Sequence, residues 1–351
     1  MTEPMNEAAR RTEEQVRSLV GQLAAEHSLP ADPPKGSLWF RLGQAIAQAY
    51  VDRADREGVR GGRAIIMAGP PGAGKSKGVA AVRTALGPKE AERLGVVDDG
   101  FITVDADDVK QVLLGNPVAG LDVDPELVGQ AREHWDRLIA NHTPDPLADG
   151  RPLLRGELST LVHQLSTDTA NDAREQLMAE HVNITIEGTL QWMEPSGVGQ
   201  GPRLVTALRT EQYTQVTIVA VDTPQPMCLE AAHQRWITPR SQGDVTARYT
   251  PPEAVTSMFT PNNTVSRCID NARITHQLAS THAHFSQVNL FIAHRSPTST
   301  VIEHIDRDGQ SRSTTLQNST PPAKTLPPRS PARNHPLQHN RITPSAPGLG
   351  R

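Results

Sequence analysis

Apolar positions follow two spacings along this chain, and the two alternate. In the first, apolar residues return every three or four positions, which is the spacing of one helix face. Val16, Leu19, Val20, Leu23 and Ala24 predict a helix over 12–28, with Thr12 as its N-cap. After the break at Leu29-Pro30-Ala31-Asp32-Pro33-Pro34, a stripe of Trp39, Leu42, Ile46, Ala47 and Tyr50 predicts a second helix from Leu38 to Glu57. Further helices are expected over 77–86, from near Val109, and from Pro125 to His142, this last inside what reads as an insertion. A long helix is expected from Glu157 to His181, then others over 226–236, 252–259 and 269–280, with 237–244 as a turn-rich loop. In the second spacing, short continuous apolar runs read as buried strands. These are 64–68, 101–104, 182–186, 216–222 and 288–292, with 301–305 as an edge strand. Strands alternating with helices predict an α/β fold: a mainly parallel sheet with helices on both faces.

The same pattern divides the chain into three. Residues 1–60 form a helical N-terminal element, which either packs on the rest or serves as a regulatory or partner-binding piece. Residues 61–308 carry the α/β pattern. From Gly309 the chain turns rich in Pro, Ser and Thr, with eight prolines, six basic residues and no acid, so 309–351 is expected to be a disordered basic tail. Removing those six from the 35 bases leaves 29 against 39 acids in residues 1–308. An acidic body is a poor platform for a polyanion, so nucleic acid is not expected as the substrate. Six charges on the tail would give only weak, salt-sensitive attachment to a nucleic acid or membrane surface. Two cysteines, Cys228 and Cys268, exclude a disulfide framework and a cysteine zinc site, and make a reduced, cytoplasmic setting the default. The polar start is not expected to be a signal peptide. No run approaches the ~18 apolar residues of a membrane span.

Between the strand at 64–68 and the helix at 77–86 lies Gly69-Pro70-Pro71-Gly72-Ala73-Gly74-Lys75-Ser76. It fits the phosphate-loop pattern G-x-x-x-x-G-K-[ST] at every fixed position, in the strand–loop–helix setting the chemistry needs. Glycines let backbone N–H groups close around a phosphate, and the helix N-terminus adds positive potential. Lys75 is expected on the β- and γ-phosphates, and the Ser76 hydroxyl on Mg²⁺. The fold class is therefore a P-loop NTPase, with ATP or GTP as the bound triphosphate.

Phosphoryl transfer also needs a residue that orients or deprotonates the acceptor, and cations for the moving charge. The strand at 101–104 ends in Asp105-Ala106-Asp107-Asp108. In an extended chain Asp105 and Asp107 share a face and project from the ligand-binding edge of the sheet. Capping of the helix near Val109 by Asp107 or Asp108 is the competing reading. Glu187 ends the third strand, as an acid at the same edge or as an ordinary strand-to-turn boundary. Arg235 and Arg248 follow the fourth strand and supply guanidinium groups suited to phosphate oxygens.

Taken in order, the residues of 60–260 resemble the zeta toxins, P-loop kinases of bacterial toxin–antitoxin systems. The resemblance rests on 69–76, on Val104-Asp105-Ala106-Asp107-Asp108-Val109-Lys110, on Ile186-Glu187-Gly188-Thr189-Leu190, and on Arg235 with Arg248. It implies an enzyme that spends ATP or GTP, with Mg²⁺, to phosphorylate the 3′-hydroxyl of a UDP-N-acetylsugar. It implies Asp107 as base, Lys75 on the phosphates and Arg235 and Arg248 as transition-state clamps. Glu187 and Thr189, with Asp105, are implied as substrate- or site-organising residues. Arg155-Gly156-Glu157-Leu158-Ser159 loosely resembles a substrate-facing helix start, which makes Glu157 a substrate-binding candidate. The resemblance also implies an inhibitory antitoxin, with the N-terminal helices as a built-in alternative. The stretch from Lys110 to Glu157 is longer than a compact member of the family needs, and it leads into the acceptor region. A switch or remodelling ATPase would instead carry an apolar strand ending in Asp-Glu, or Asn-Lys-x-Asp; neither is present.

Overall fold

The computed structural model describes residues 3–97, 99–143, 145–260 and 265–317, with side chains from residue 7 onward. Helices α1 (Glu3–His27) and α2 (Leu38–Glu57) lead into β1 (Arg63–Ala68), α3 (Lys75–Leu86) and α4 (Pro88–Arg93). Then come β2 (Ile102–Val104), α5 (Ala106–Leu113), α6 (Pro125–His142), a 3-10 turn at Arg155–Thr160, and α7 (His163–Ala179). The chain continues through β3 (Ile184–Ile186), α8 (Gln200–Thr210), β4 (Gln215–Asp222), α9 (Gln225–Ser241), α10 (Pro252–Thr256) and α11 (Arg267–Thr281). The described residues end in β5 (Gln287–Arg295), β6 (Ser299–Ile305) and β7 (Ser311–Gln317). No helix among the described residues is long and apolar enough to cross a membrane.

The seven strands form one sheet in the order β2-β3-β1-β4-β5-β6-β7. The first five are parallel, and β6 and β7 turn back antiparallel. Alternate residues of each strand feed two apolar layers, because successive side chains point to opposite faces. Ala64, Ile66, Ala68, Ile218 and Ile292 pack with helices α1, α2, α5, α6 and α7, and with α8 and α11. Ile65, Met67, Val219, Val221 and Phe291 pack with α3, α9 and α10 on the other side.

Several expectations are corrected. Of the two readings of the N-terminal helices, the structure has the packed one: Val16, Val20, Leu42 and Ile46 lie in one core with Ile66 and Ile184. The tail does not begin at Gly309, since 311–317 pair with β6, which is thus not the edge strand; the rest of the expected tail lies outside the described residues. The 157–181 segment is a 3-10 turn followed by α7 rather than one helix. Helix α9 does not stop at Trp236 but runs through Pro239, because Arg240 in its last turn is fully buried in an ionic network. Those bonds offset the ~3 kcal/mol that an internal proline costs. Helices α4 and α8 are additions, the first opened by Pro88 at the position where proline fits a helix.

Close approach of backbones makes one glycine of the core critical. Gly201 of α8 faces Thr275 of α11, and a Cβ there would overlap the threonine hydroxyl. Gly129 of α6 has nothing within 4 Å of where its Cβ would stand. Gly201→Ala is expected to lower unfolding stability by about 1–3 kcal/mol. Gly129→Ala is expected to raise it by about 0.5–1 kcal/mol. Paired urea melts check both, and equal shifts would contradict the packing described.

Candidate active site

All of the chemistry gathers at the carboxyl edge of the parallel strands, where open α/β sheets bind ligands. Strand β1 runs into the loop 69–74, and Gly74, with φ +79°, starts α3 without a side chain to cap it. The first N–H groups of α3 are therefore left for a ligand. Gly72 also has φ +79°, and a Cβ there would overlap the Cys228 carbonyl at the start of α9. The loop is braced from outside. Thr223 Oγ1 and Arg295 Nη1 both donate to the Ala73 carbonyl, at 2.9 and 2.6 Å, and Gly69 N donates to the Thr189 carbonyl at 3.2 Å. Thr189 thus acts on the loop through its backbone. Pro70 and Pro71 lie at its turn, and Ser76 is exposed in the first turn of α3. The uncapped helix start, the glycines without room for a side chain, and the lysine and hydroxyl at 75 and 76 fit a triphosphate with Mg²⁺.

Strand register places two acids beside this loop. Val104 pairs with Ile186, and Ile186 pairs with Ile66, so Asp105 and Glu187 leave neighbouring strands at the same height. Lys75 Nζ lies 3.9 Å from Glu187 Oε2. Burial, outweighing Lys75 and reinforced by the charges of Asp105 and Asp107, raises the Glu187 pKa to about 7. Beneath both acids lies a buried arginine absent from the sequence reading. Arg174 of α7 donates to the Glu187 carbonyl at 3.0 Å and the Val104 carbonyl at 3.5 Å, tying the two strand ends together.

The extended-chain argument for Asp105 and Asp107 is corrected. Asp105 caps α5, accepting from the Asp107 backbone N–H at 2.9 Å, so the chain turns helical one residue after the strand. Asp107 consequently projects from the first turn of a helix, not from a strand. There it is held by two cations: Lys110 Nζ, 3.1 Å from Oδ1, and Arg248, paired with Oδ2. Burial pushes its pKa up, but Arg248 and then Lys110 outweigh this and hold it well below the usual carboxylate range. Asp108 behaves oppositely: burial and the neighbouring Asp105 and Asp107 raise it to about 6.

A cleft of about 420 Å³ opens over these groups, lined by Asp105, Asp107, Asp108, Gln111, Arg235 and Arg248 among others. Arg248, and after it burial, lower the pKa of Arg235, since two guanidinium groups share one space. Such a pair is relieved by an anion between them. Sequence-distant Asp107, Arg235 and Arg248 therefore meet in one cleft, beside a phosphate loop flanked by Lys75 and Glu187.

Glu157 does not join them. It is fully buried and its carboxylate is saturated: Arg240 Nη1 donates to both oxygens at 2.6 and 2.7 Å, Trp236 Nε1 at 2.6 Å and Leu154 N at 2.7 Å. Arg240 also binds Asp149 at 2.9 Å. The adjacent Gly156 N donates to the Val245 carbonyl at 2.8 Å. This network holds α9 and the loop bearing Arg248, and so shapes the cleft from behind.

The raised Glu187 has a consequence for stability. In the unfolded chain it ionises near its ordinary 4.5, in the folded protein near 7. The folded state therefore binds the extra proton between those values, and its stability from this group is full below the lower one and lost as pH rises through 7. Glu187→Gln removes that dependence. It is expected to stabilise the protein at pH 8 by about 1–3 kcal/mol relative to its effect at pH 5. Thermal melts at the two pH values check it; an equal effect at both would contradict the assignment.

No protein-family model matches the chain, and no curated protein matches it. Among the solved structures that align with it are two at low identity. One, from the PezAT chromosomal toxin–antitoxin system of Streptococcus pneumoniae, covers 80% of this chain and 81% of its own, at 13% identity and a TM-score of 0.42. The other, AvrRxo1-ORF1:-ORF2 with ATP, covers 84% of this chain and 68% of its own, at 12% identity and a TM-score of 0.42. Likenesses this distant carry no argument about activity, and the site rests on its own geometry.

Proposed function

We propose that this chain is a nucleoside-triphosphate-dependent small-molecule kinase of zeta-toxin type, acting on a hydroxyl of a UDP-N-acetylsugar at the 3′ position. The observation that carries the reading is Asp107, fixed between Lys110 and Arg248 at the mouth of a cleft beside the phosphate loop. The loop N–H groups and Lys75 would bind the triphosphate of ATP or GTP. Ser76 would hold Mg²⁺, which when bound neutralises charge on the phosphate oxygens.

Asp107 keeps its negative charge across the working pH range and accepts the hydrogen of the incoming hydroxyl. Its depressed pKa makes it a weak base. That suits phosphoryl transfer, whose loose transition state needs the nucleophile oriented more than deprotonated. Arg235 and Arg248 converge where the moving phosphoryl group gathers charge, and a guanidinium can fork onto two of its oxygens. On binding of the triphosphate, Arg248 exchanges part of its contact with Asp107 for the phosphoryl oxygens, which frees a carboxylate oxygen for the hydroxyl. An antitoxin belongs to this proposal as a separate chain, because the apolar stripes of α1 and α2 are committed to the core and cannot detach cheaply.

Labelling of the acceptor tests the reading. The protein is incubated with γ-labelled ATP and either UDP-N-acetylglucosamine or the small-molecule fraction of a cell extract. A labelled metabolite is expected from the wild type. Asp107→Asn is expected to lower transfer by about 100-fold or more while leaving ATP affinity within about twofold. Release of free phosphate alone, or wild-type transfer by Asp107→Asn, would overturn the proposal.

A further inference from the structure

Gln111 sits one helical turn beyond Asp107 on α5 and lines the same cleft. Its amide is part of a relay. Asn116 Nδ2 donates to Gln111 Oε1 at 2.9 Å, Arg155 Nη2 donates to Asn116 Oδ1 at 2.9 Å, and Arg155 Nη1 donates to Asp136 Oδ1 at 2.7 Å. The backbone adds a bond from Asn116 N to the Gln111 carbonyl at 2.9 Å, which keeps the two amides in register.

The polarity of this relay follows from its far end. A guanidinium only donates, so the Asn116 atom that faces Arg155 must be the oxygen. The Asn116 nitrogen is thereby turned toward Gln111, and the atom it meets there must also be an oxygen. Asn116 is only 3% exposed, so it cannot turn out to water and reverse the order. Reversing it would set a buried N–H against a guanidinium, a loss of the kind that costs about 1–3 kcal/mol. The Gln111 NH₂ group is thereby turned away from Asn116, in a residue that lines the cleft, and no bond to it is seen among the described residues.

We infer that Gln111 determines acceptor specificity by presenting a fixed N–H donor to the cleft, with Asn116 and Arg155 as positioning residues. This rests on the kinase reading above and narrows it. The acceptor would carry, a few ångströms from the hydroxyl that meets Asp107, an oxygen with lone pairs, such as a carbonyl or phosphoryl oxygen. The acids lining the cleft accept hydrogens, and Gln111 adds an uncharged donor to those of Arg235 and Arg248. A molecule with hydroxyl groups alone would leave this donor without a strong acceptor and bind more weakly.

Three variants test the inference, with transfer from γ-labelled ATP to UDP-N-acetylglucosamine, and in parallel to a diluted extract fraction, as the assay. Gln111→Glu keeps the bond from Asn116 but replaces the donor with an acceptor. Gln111→Met removes the donor without adding charge. Asn116→Asp never touches the cleft; it accepts from Arg155 and can only accept from Gln111, so it turns the glutamine over. Each is expected to raise the acceptor KM about tenfold or more, with ATP KM within about twofold and kcat at saturating acceptor changed less than KM. A purely structural role for Asn116 would move both KM values together. An acceptor KM within about twofold of wild type for Gln111→Met or for Asn116→Asp would overturn the inference, even if Gln111→Glu is impaired by its charge. A wild type that labels neither acceptor source would instead overturn the kinase reading itself, and this inference with it.

Discussion

Four carboxylates crowd the carboxyl edge of this sheet, and their mutual repulsion is the constraint that the surrounding structure answers. Asp105, Asp107, Asp108 and Glu187 all lie partly buried around one cleft mouth. Burial pushes Asp107, Asp108 and Glu187 toward their neutral forms. The fold answers unequally. Asp107 receives two cations, one per oxygen, and stays ionised well below the ordinary range. Glu187 and Asp108 receive less and are raised to about 7 and 6. Neighbouring acids of one residue class are thus held in different protonation regimes, the pattern expected where groups have different chemical tasks.

The cations come from three directions, which explains the size of the machinery behind the cleft. Lys110 is local, a turn away on α5. Arg248 arrives on a loop after α9, and Arg174 rises from α7 beneath the strand ends. Each must be held without becoming a new unpaired buried charge. Arg174 donates from Nη2 to the Glu187 and Val104 carbonyls and from Nη1 to Asn171, while its buried Nε finds no partner among the described residues. The loop carrying Arg248 is anchored through Gly156 and the Glu157–Arg240–Asp149 network, in which every Glu157 oxygen is bonded. Glu157, which the loose family resemblance of 155–159 made a substrate-binding candidate, contributes instead by fixing the wall that carries Arg248. Its burial under Trp236 and against Arg240 is what a contact from chain segments far apart can create and a local pattern cannot show.

Some features missed in the sequence did leave a trace there. Arg174 falls on the apolar stripe of its helix, between Ala170 and Leu177, and a charge on a buried face asks for a partner. Val205 and Leu208 carry the helical spacing of α8. Asp105 is an N-cap residue type placed directly before a helix, which was enough to prefer a cap over two more residues of strand. Others left none. Pro239 argues for a helix end, and only the burial of Arg240 shows why the helix continues.

The sequence by itself determined the alternation of strand and helix, the phosphate loop in its strand–loop–helix setting, and the residue types available for phosphate chemistry. Those depend on local sterics and on periodicity, which neighbouring residues encode directly. Tertiary structure alone decided which acids and cations meet, which carboxylate is ionised, and which way the Gln111 amide faces. Those outcomes depend on strand register and on distances between side chains far apart in the chain. Electrostatic energy changes steeply over such distances in a partly dry cleft, and no local pattern carries them.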